Sequence, residues 1–232
     1  VVMVARGCGG VRLTSDVTFN AARTQDFAST VTHFREKFPE RRIFAVGYSL
    51  GAGILAKYVG EQGDRCPLAG AACVSISFDF TKTTPHFWVW SRLKLVFDLK
   101  RYVRQNKSEL KKNPKINLCK ILNSVNVREF DSHAVVPTNG YRDVDEYYRD
   151  ASAVKVAHSM MTPTLAFVAE DDPVCCATGA PMNSAALGPG LIIVKTSYGG
   201  HVAFGKGWVP YKESWADAAA LQFFSVILKE NL

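Results

Sequence analysis

The five residues Gly47-Tyr48-Ser49-Leu50-Gly51, preceded by the apolar run Ile43-Phe44-Ala45-Val46, constrain this chain more than any other segment. They fit the G-x-S-x-G nucleophile elbow, in which a buried strand turns sharply into a helix with a serine at the tip. The serine sits in a strained backbone conformation, and strand and helix approach so closely that both flanking glycines are expected to lack room for a Cβ. Beyond the turn, Ile54, Leu55, Tyr58 and Val59 recur at helical spacing, and Ala52, Ala56 and Lys57 are good helix formers. The helix N-terminus would aim partial positive charge at Ser49, and the Leu50 amide would be one oxyanion donor.

A serine hydroxyl is a weak nucleophile and needs a base within hydrogen-bond reach, itself oriented by a carboxylate. Where the elbow is used, the chain order is serine, acid, histidine. Of the five histidines, His33 precedes the serine, His86 and His133 bracket an insertion, and His158 comes before the next strand. Only His201 directly follows a late strand, in Ser197-Tyr198-Gly199-Gly200-His201, where paired glycines let the backbone swing a histidine over the sheet edge. For the acid, the strand Thr164 to Ala169 runs into Glu170-Asp171-Asp172-Pro173. Asp172 is the first choice, Asp171 the competitor, and Asp79, at the end of an earlier strand, the fallback.

Around these residues, apolar runs of strand length alternate with helical patterns. Strands are expected at Val1 to Val4, Ile43 to Val46, Leu68 to Ser77, Thr164 to Ala169 and Leu191 to Thr196. Thr24 to Phe38 reads as a helix with Phe27, Val31, Phe34 and Phe38 on one face. Trp208 to Leu232 holds a closing helix with a stripe of Leu221, Phe224 and Leu228. This alternation predicts an α/β fold, a mostly parallel sheet with helices on both faces. With 232 residues, one domain suffices. Residues from about Pro85 to Arg149 break the alternation, and Trp90, Leu93, Val96 or Phe97, Leu99 and Val103 form a helical stripe flanked by Arg92, Lys94, Arg101 and Arg104. This is a basic amphipathic helix, read either as core packing or as a lid with an apolar underside for an acyl chain.

The formal net charge of +7 is concentrated there: Lys82 to Lys120 holds eleven Lys or Arg against only Asp98 and Glu109. No nucleic-acid motif accompanies the block, and its aromatics suit a membrane interface better, so no nucleic-acid partner is expected. The chain holds no run of about 18 apolar residues, so no spanning helix is encoded. Six cysteines without a C-x-x-C pair read as reduced thiols in a cytosolic-facing protein, and no cofactor or metal is expected.

Several stretches together carry a resemblance. They are Arg6-Gly7-Cys8-Gly9-Gly10, Thr24-Gln25-Asp26, the elbow, Val127-Arg128-Glu129-Phe130-Asp131, Tyr147-Tyr148-Arg149-Asp150-Ala151-Ser152, Asp171-Asp172-Pro173 and Gly199-Gly200-His201-Val202-Ala203-Phe204. The chain resembles the α/β-hydrolase lipid esterases that include yeast ethyl ester synthase/esterases and mammalian phospholipase and monoacylglycerol lipase relatives. The resemblance puts the nucleophile on Ser49, the acid on Asp172 and the base on His201. It implies hydrolysis or transfer of acyl groups on medium- or long-chain lipid esters, at a cytosolic or endomembrane-facing membrane to which members attach through an N-terminal segment. It also implies strands before Val1, one of them lying between the Val1 strand and the Ile43 strand and followed by the loop with the second oxyanion amide. An N-terminally truncated chain is therefore expected. A non-catalytic lipid-binding or scaffold protein on the same fold is the competing reading.

Overall fold

A computed structural model describes residues 1–183, 186–207 and 214–230. Its framework is a four-stranded sheet in the order β1 (Phe44–Tyr48), β2 (Gly70–Val74), β3 (Thr164–Ala169) and β4 (Leu191–Thr196). All neighbours pair in parallel. The register aligns Tyr48 with Val74, Val74 with Phe167 and Phe167 with Val194, so every strand delivers its following loop to the same carboxyl edge. In open parallel sheets, that edge is where ligand sites form.

β2 and β3 are buried throughout, as strands covered on both faces must be. Side chains alternate between the faces. Ala71 and Cys73 meet Ala52, Leu55, Ala56 and Val59 of α2 (Leu50–Gln62) in one core cluster. Ala72 meets Ala220, Phe224 and Ile227 of α10 (Trp215–Lys229) on the opposite face. Helix α1 (Gln25–Lys37) buries Val31 against the first cluster.

Helices α3 (Phe80–His86), α4 (Val89–Gln105), α5 (Lys107–Leu110), α6 (Leu118–Asn123), α7 (Val127–Ala134), α8 (Val136–Asn139) and α9 (Val144–Ala151) fall between β2 and β3 in the chain. They have their own core, with Tyr102, Val103, Leu110, Ile121 and Phe130 packed around Leu13. Asn106 fastens the N-terminal loop to them: its Oδ1 accepts from the Leu13 amide at 3.0 Å and its Nδ2 donates to the Gly7 carbonyl at 2.9 Å.

Three expectations need correction. Residues Val1 to Val4 form no strand, and Val1 and Val2 are fully exposed. A strand exists only where a neighbour supplies ladder hydrogen bonds, and none of the described strands pairs with these residues; Val1 and Met3 share a cavity with Phe44, Ala45 and Val46 of β1. β1 is consequently an edge strand, with Val46 and Tyr48 exposed. The predicted α4 stripe is split: Val96 and Val103 are buried and Leu99 is half-buried, whereas Trp90, Leu93 and Phe97 face outward. In α10 the buried face is Ala216, Ala220, Phe224 and Ile227, while Leu221 and Leu228 are exposed. The expected extensions of that helix over 208–213 and 231–232 lie outside the described residues.

Candidate active site

Ser49 stands between β1 and α2 with φ 51° and ψ −119°, a conformation that side-chain-bearing residues avoid. Its amide donates to the Val74 carbonyl at 2.9 Å, which fixes the tip of the turn to the neighbouring strand. A Cβ on Gly47 would lie 2.6 Å from the Gly51 carbonyl oxygen, so glycine is obligatory there. Gly51 is different. A Cβ there would meet nothing within 4 Å, so the expected crowding holds on the strand side of the serine only. Leu50 opens α2, and the first amides of a helix have no intrahelical acceptor.

The loop after β4 brings His201 to the serine. Its Nε2 lies 2.8 Å from Ser49 Oγ, and its Nδ1 lies 3.0 Å from both carboxylate oxygens of Asp172. Because a carboxylate only accepts, Nδ1 carries the proton and Nε2 is free to accept from the serine. Asp172 is only 2% exposed, and its Oδ1 also accepts from the amides of Val174 and Cys175, each at 2.8 Å. A carboxylate so held keeps one orientation.

The two competing acids have other employment. Asp171 Oδ1 accepts from the Gly199 and Gly200 amides at 2.9 and 2.8 Å, pinning the turn that carries His201. Sequence alone leaves Asp171 as either the competing acid or a solvated turn residue. Asp79 caps α3, accepting from the Thr81 amide and hydroxyl. Glu170 pairs with Lys195 across 2.7 Å. Strain gathers at the same edge, where Ser75, Val202 and Phe204 also have positive φ, and the Val202 amide donates to Ser75 Oγ at 2.9 Å.

Beside Ser49 opens a cavity of about 360 Å3, a size suited to a small ligand. Leu50, Phe80, Phe87, Leu95, Leu99 and Phe130 supply much of its apolar lining. Cys175 also lines it, but burial and the adjacent Asp172 carboxylate push its thiol well above the usual range, so it stays protonated. Asp172, Cys175 and His201 bring ligand-type atoms within 4.8 Å of one another. His201 Nδ1 and Asp172 are already bonded to each other, and no metal is needed to order them.

The stretches outside the Ser49, His201 and Asp172 grouping turn out to be joined to each other. Arg6 donates from Nε to Asp26 Oδ2 at 2.7 Å, and this hydrogen bond holds the Asp26 carboxyl below its ordinary range. Asp131, which lines the cavity, accepts from the Tyr148 hydroxyl at 2.9 Å. Burial pushes the Asp131 carboxyl up to about 7, the hydroxyl only partly offsetting it. Its unfolded value is about 3.9. The folded state thus holds this proton more tightly, and the stability it confers is complete below about pH 4 and lost as pH rises through about 7. We expect the thermal midpoint to fall between pH 5 and 8, and to fall clearly less in Asp131→Asn. Parallel pH profiles for the two proteins, measured by thermal denaturation, would contradict this.

Comparison with known proteins assigns the chain to a family. Residues 5–189 match the family described as Serine aminopeptidase, S33. The chain belongs to this family of α/β-hydrolases. The chain is 34% identical over 216 residues to the monoacylglycerol lipase of Saccharomyces cerevisiae, covering 89% of this chain and 47% of the relative. It is 31% identical to medium-chain fatty acid ethyl ester synthase/esterase 2 of the same yeast, covering 97% and 54%. Bovine phospholipase ABHD3 is 28% identical, with 100% of this chain and 57% of that protein covered. The chain therefore spans about half the length of these curated relatives. In fold it is similar to the Pyrococcus horikoshii acylaminoacyl peptidase, at TM-score 0.54 and 16% identity over 87% of this chain and 27% of that one. The Paleococcus ferrophilus monoacylglycerol lipase gives 0.50 at 14% identity, covering 95% and 78%.

Proposed function

We propose that the protein is a serine carboxylic-ester hydrolase acting on medium- or long-chain lipid esters, with Ser49 as nucleophile, His201 as base and Asp172 as the orienting acid. The observation that carries this reading is the continuous hydrogen-bonded relay from Ser49 Oγ through the His201 ring to the buried Asp172 carboxylate. In the proposed reaction His201 Nε2 takes the Ser49 proton as Oγ attacks the ester carbonyl. The Leu50 amide donates to the oxyanion, and Asp172 stabilises the imidazolium that forms. Collapse expels the alcohol, which takes its proton from His201. Water, or a second alcohol, then gives its proton to His201 and removes the acyl group from Ser49, whose Oγ takes that proton back from His201. The apolar lining of the cavity supports an acyl chain as occupant, and the lipase, esterase and phospholipase names of the relatives support a lipid ester.

The same reading places the active-site mouth on a membrane surface. Among the described residues no helix is long and apolar enough to cross a bilayer. The exposed surface of α4 offers peripheral attachment instead, with Trp90, Leu93, Phe97, Lys94, Arg101 and Arg104 on its outward side and Arg92 exposed near its first turn. Each basic residue near an anionic surface contributes about 1 kcal/mol, though Lys94 is partly neutralised by Asp98 at 2.6 Å. The test compares a medium-chain ester in anionic vesicles with a short soluble ester, in wild type and in Arg92→Glu/Lys94→Glu/Arg101→Glu. The triple variant is expected to lose about a hundredfold or more on vesicles and little on the soluble ester. No turnover of either ester by folded wild type would overturn the enzyme reading in favour of a lipid-binding scaffold. Equal losses on both esters would make the segment structural.

A further inference from the structure

The junction between α3 and α4 joins two things that the proposed function leaves separate. On its outer side begins the exposed apolar surface: Trp88 is 61% exposed, Trp90 80% and Phe97 60%. Trp90, Leu93, Phe97, Arg101 and Arg104 follow one another at spacings of three and four, so they share one face of α4. The combination of large apolar side chains and cations on one exposed helix face fits an anionic bilayer, with indoles at the headgroup level and cations beside phosphates. Toward the protein, Phe87, Leu95 and Leu99 line the cavity that also contains Ser49.

The inner side of the junction is bonded to the backbone of the acid loop. The Trp88 amide donates to the Pro173 carbonyl at 3.1 Å. His86 Nε2 lies 3.0 Å from the Asp172 carbonyl oxygen, and since a carbonyl only accepts, Nε2 is the protonated nitrogen. Two successive carbonyls of the loop thus hang from the junction, one belonging to the residue whose side chain orients His201. At the far end of the loop Gly179 packs on Asp79, the α3 cap; a Cβ at Gly179 would sit 3.1 Å from Asp79 Cβ. Any displacement of the start of α4 must therefore move the Asp172 backbone or break these bonds.

We propose that the junction couples contact with an anionic lipid surface to the acid, with His86 as a positioning residue that holds Asp172 in register with His201. This rests on the esterase reading and on the membrane docking above. A bilayer that binds α4 better when the junction is ordered shifts the protein toward that state, and turnover at Ser49 rises with it.

The test uses vesicles of ether-linked phosphatidylglycerol and phosphatidylcholine, which offer a surface but no ester, together with a short soluble ester. Binding is followed by tryptophan fluorescence and turnover is measured in parallel. Wild type is expected to gain about fivefold in kcat at unchanged KM when vesicles are added, the scale of one hydrogen bond's worth of ordering. His86→Ala should bind vesicles equally but lose the gain. His86→Gln, whose side-chain amide can donate to the Asp172 carbonyl, should restore it. The proposal is overturned if wild type binds vesicles without a gain, if it fails to bind them, or if His86→Ala keeps the full gain. A loss shared by His86→Gln with a lowered melting temperature would mark a purely structural residue and overturn it too. Absence of both soluble-ester turnover and fluorophosphonate labelling of Ser49 would sink the esterase reading itself, whereas turnover without a vesicle gain sinks the coupling alone.

Discussion

Asp172→Asn is expected to slow acyl-enzyme formation about ten-thousand-fold, the cost of losing the orienting aspartate in a well-characterised serine triad. The cause is tautomeric. Asp172 Oδ1 accepts from the amides of Val174 and Cys175, so an asparagine would keep its oxygen there and turn its NH2 toward His201. His201 Nδ1 would then have to accept, which forces the proton onto Nε2, the nitrogen that should receive the serine proton. Asp171→Asn should cost far less, about tenfold or below, because an amide oxygen can still accept from Gly199 and Gly200. The burst of chromogenic alcohol from an activated ester measures both rates. Equal losses, or a larger one in Asp171→Asn, would overturn the choice of acid. Loss in Asp79→Asn alone would move the acid to α3.

The elements around Ser49 were legible in the sequence because parallel strands buried on both faces read as short apolar runs. Thr164–Ala169 and Leu191–Thr196 match their strands residue for residue. That Ser49, Asp172 and His201 should meet was legible for a related reason: each follows a short apolar run, and the parallel register gathers the three loops at one edge. Val1 to Val4 looked the same but form no strand, since an apolar run specifies a strand only where a partner strand is present to pair with it.

Helix α4 misled in another way. Apolar residues surround it on both sides, so period alone could not tell the core face of Val96 and Val103 from the exposed face of Trp90 and Phe97. His86 and Asp171 were beyond sequence reasoning because their partners are backbone groups about 86 and 28 residues away in the chain. Asp131 and Tyr148 stood within conspicuous motifs, yet only the fold shows that the motifs pair with each other.

Ser49→Ala, His201→Ala and the double variant are each expected to lower kcat about a million-fold, with the double no worse than either single change. Residues that act as one unit are non-additive in this way. Multiplying losses would mean that the two act independently, contrary to the 2.8 Å contact between Ser49 Oγ and His201 Nε2. The most direct measurement is the intact mass of the folded protein after reaction with a fluorophosphonate. The account predicts one adduct per chain, mapped to Ser49, formed quickly in wild type, very slowly in Asp172→Asn and not at all in Ser49→Ala. Folded wild type that acquires no adduct, or Ser49→Ala that acquires one at the wild-type rate, would contradict it.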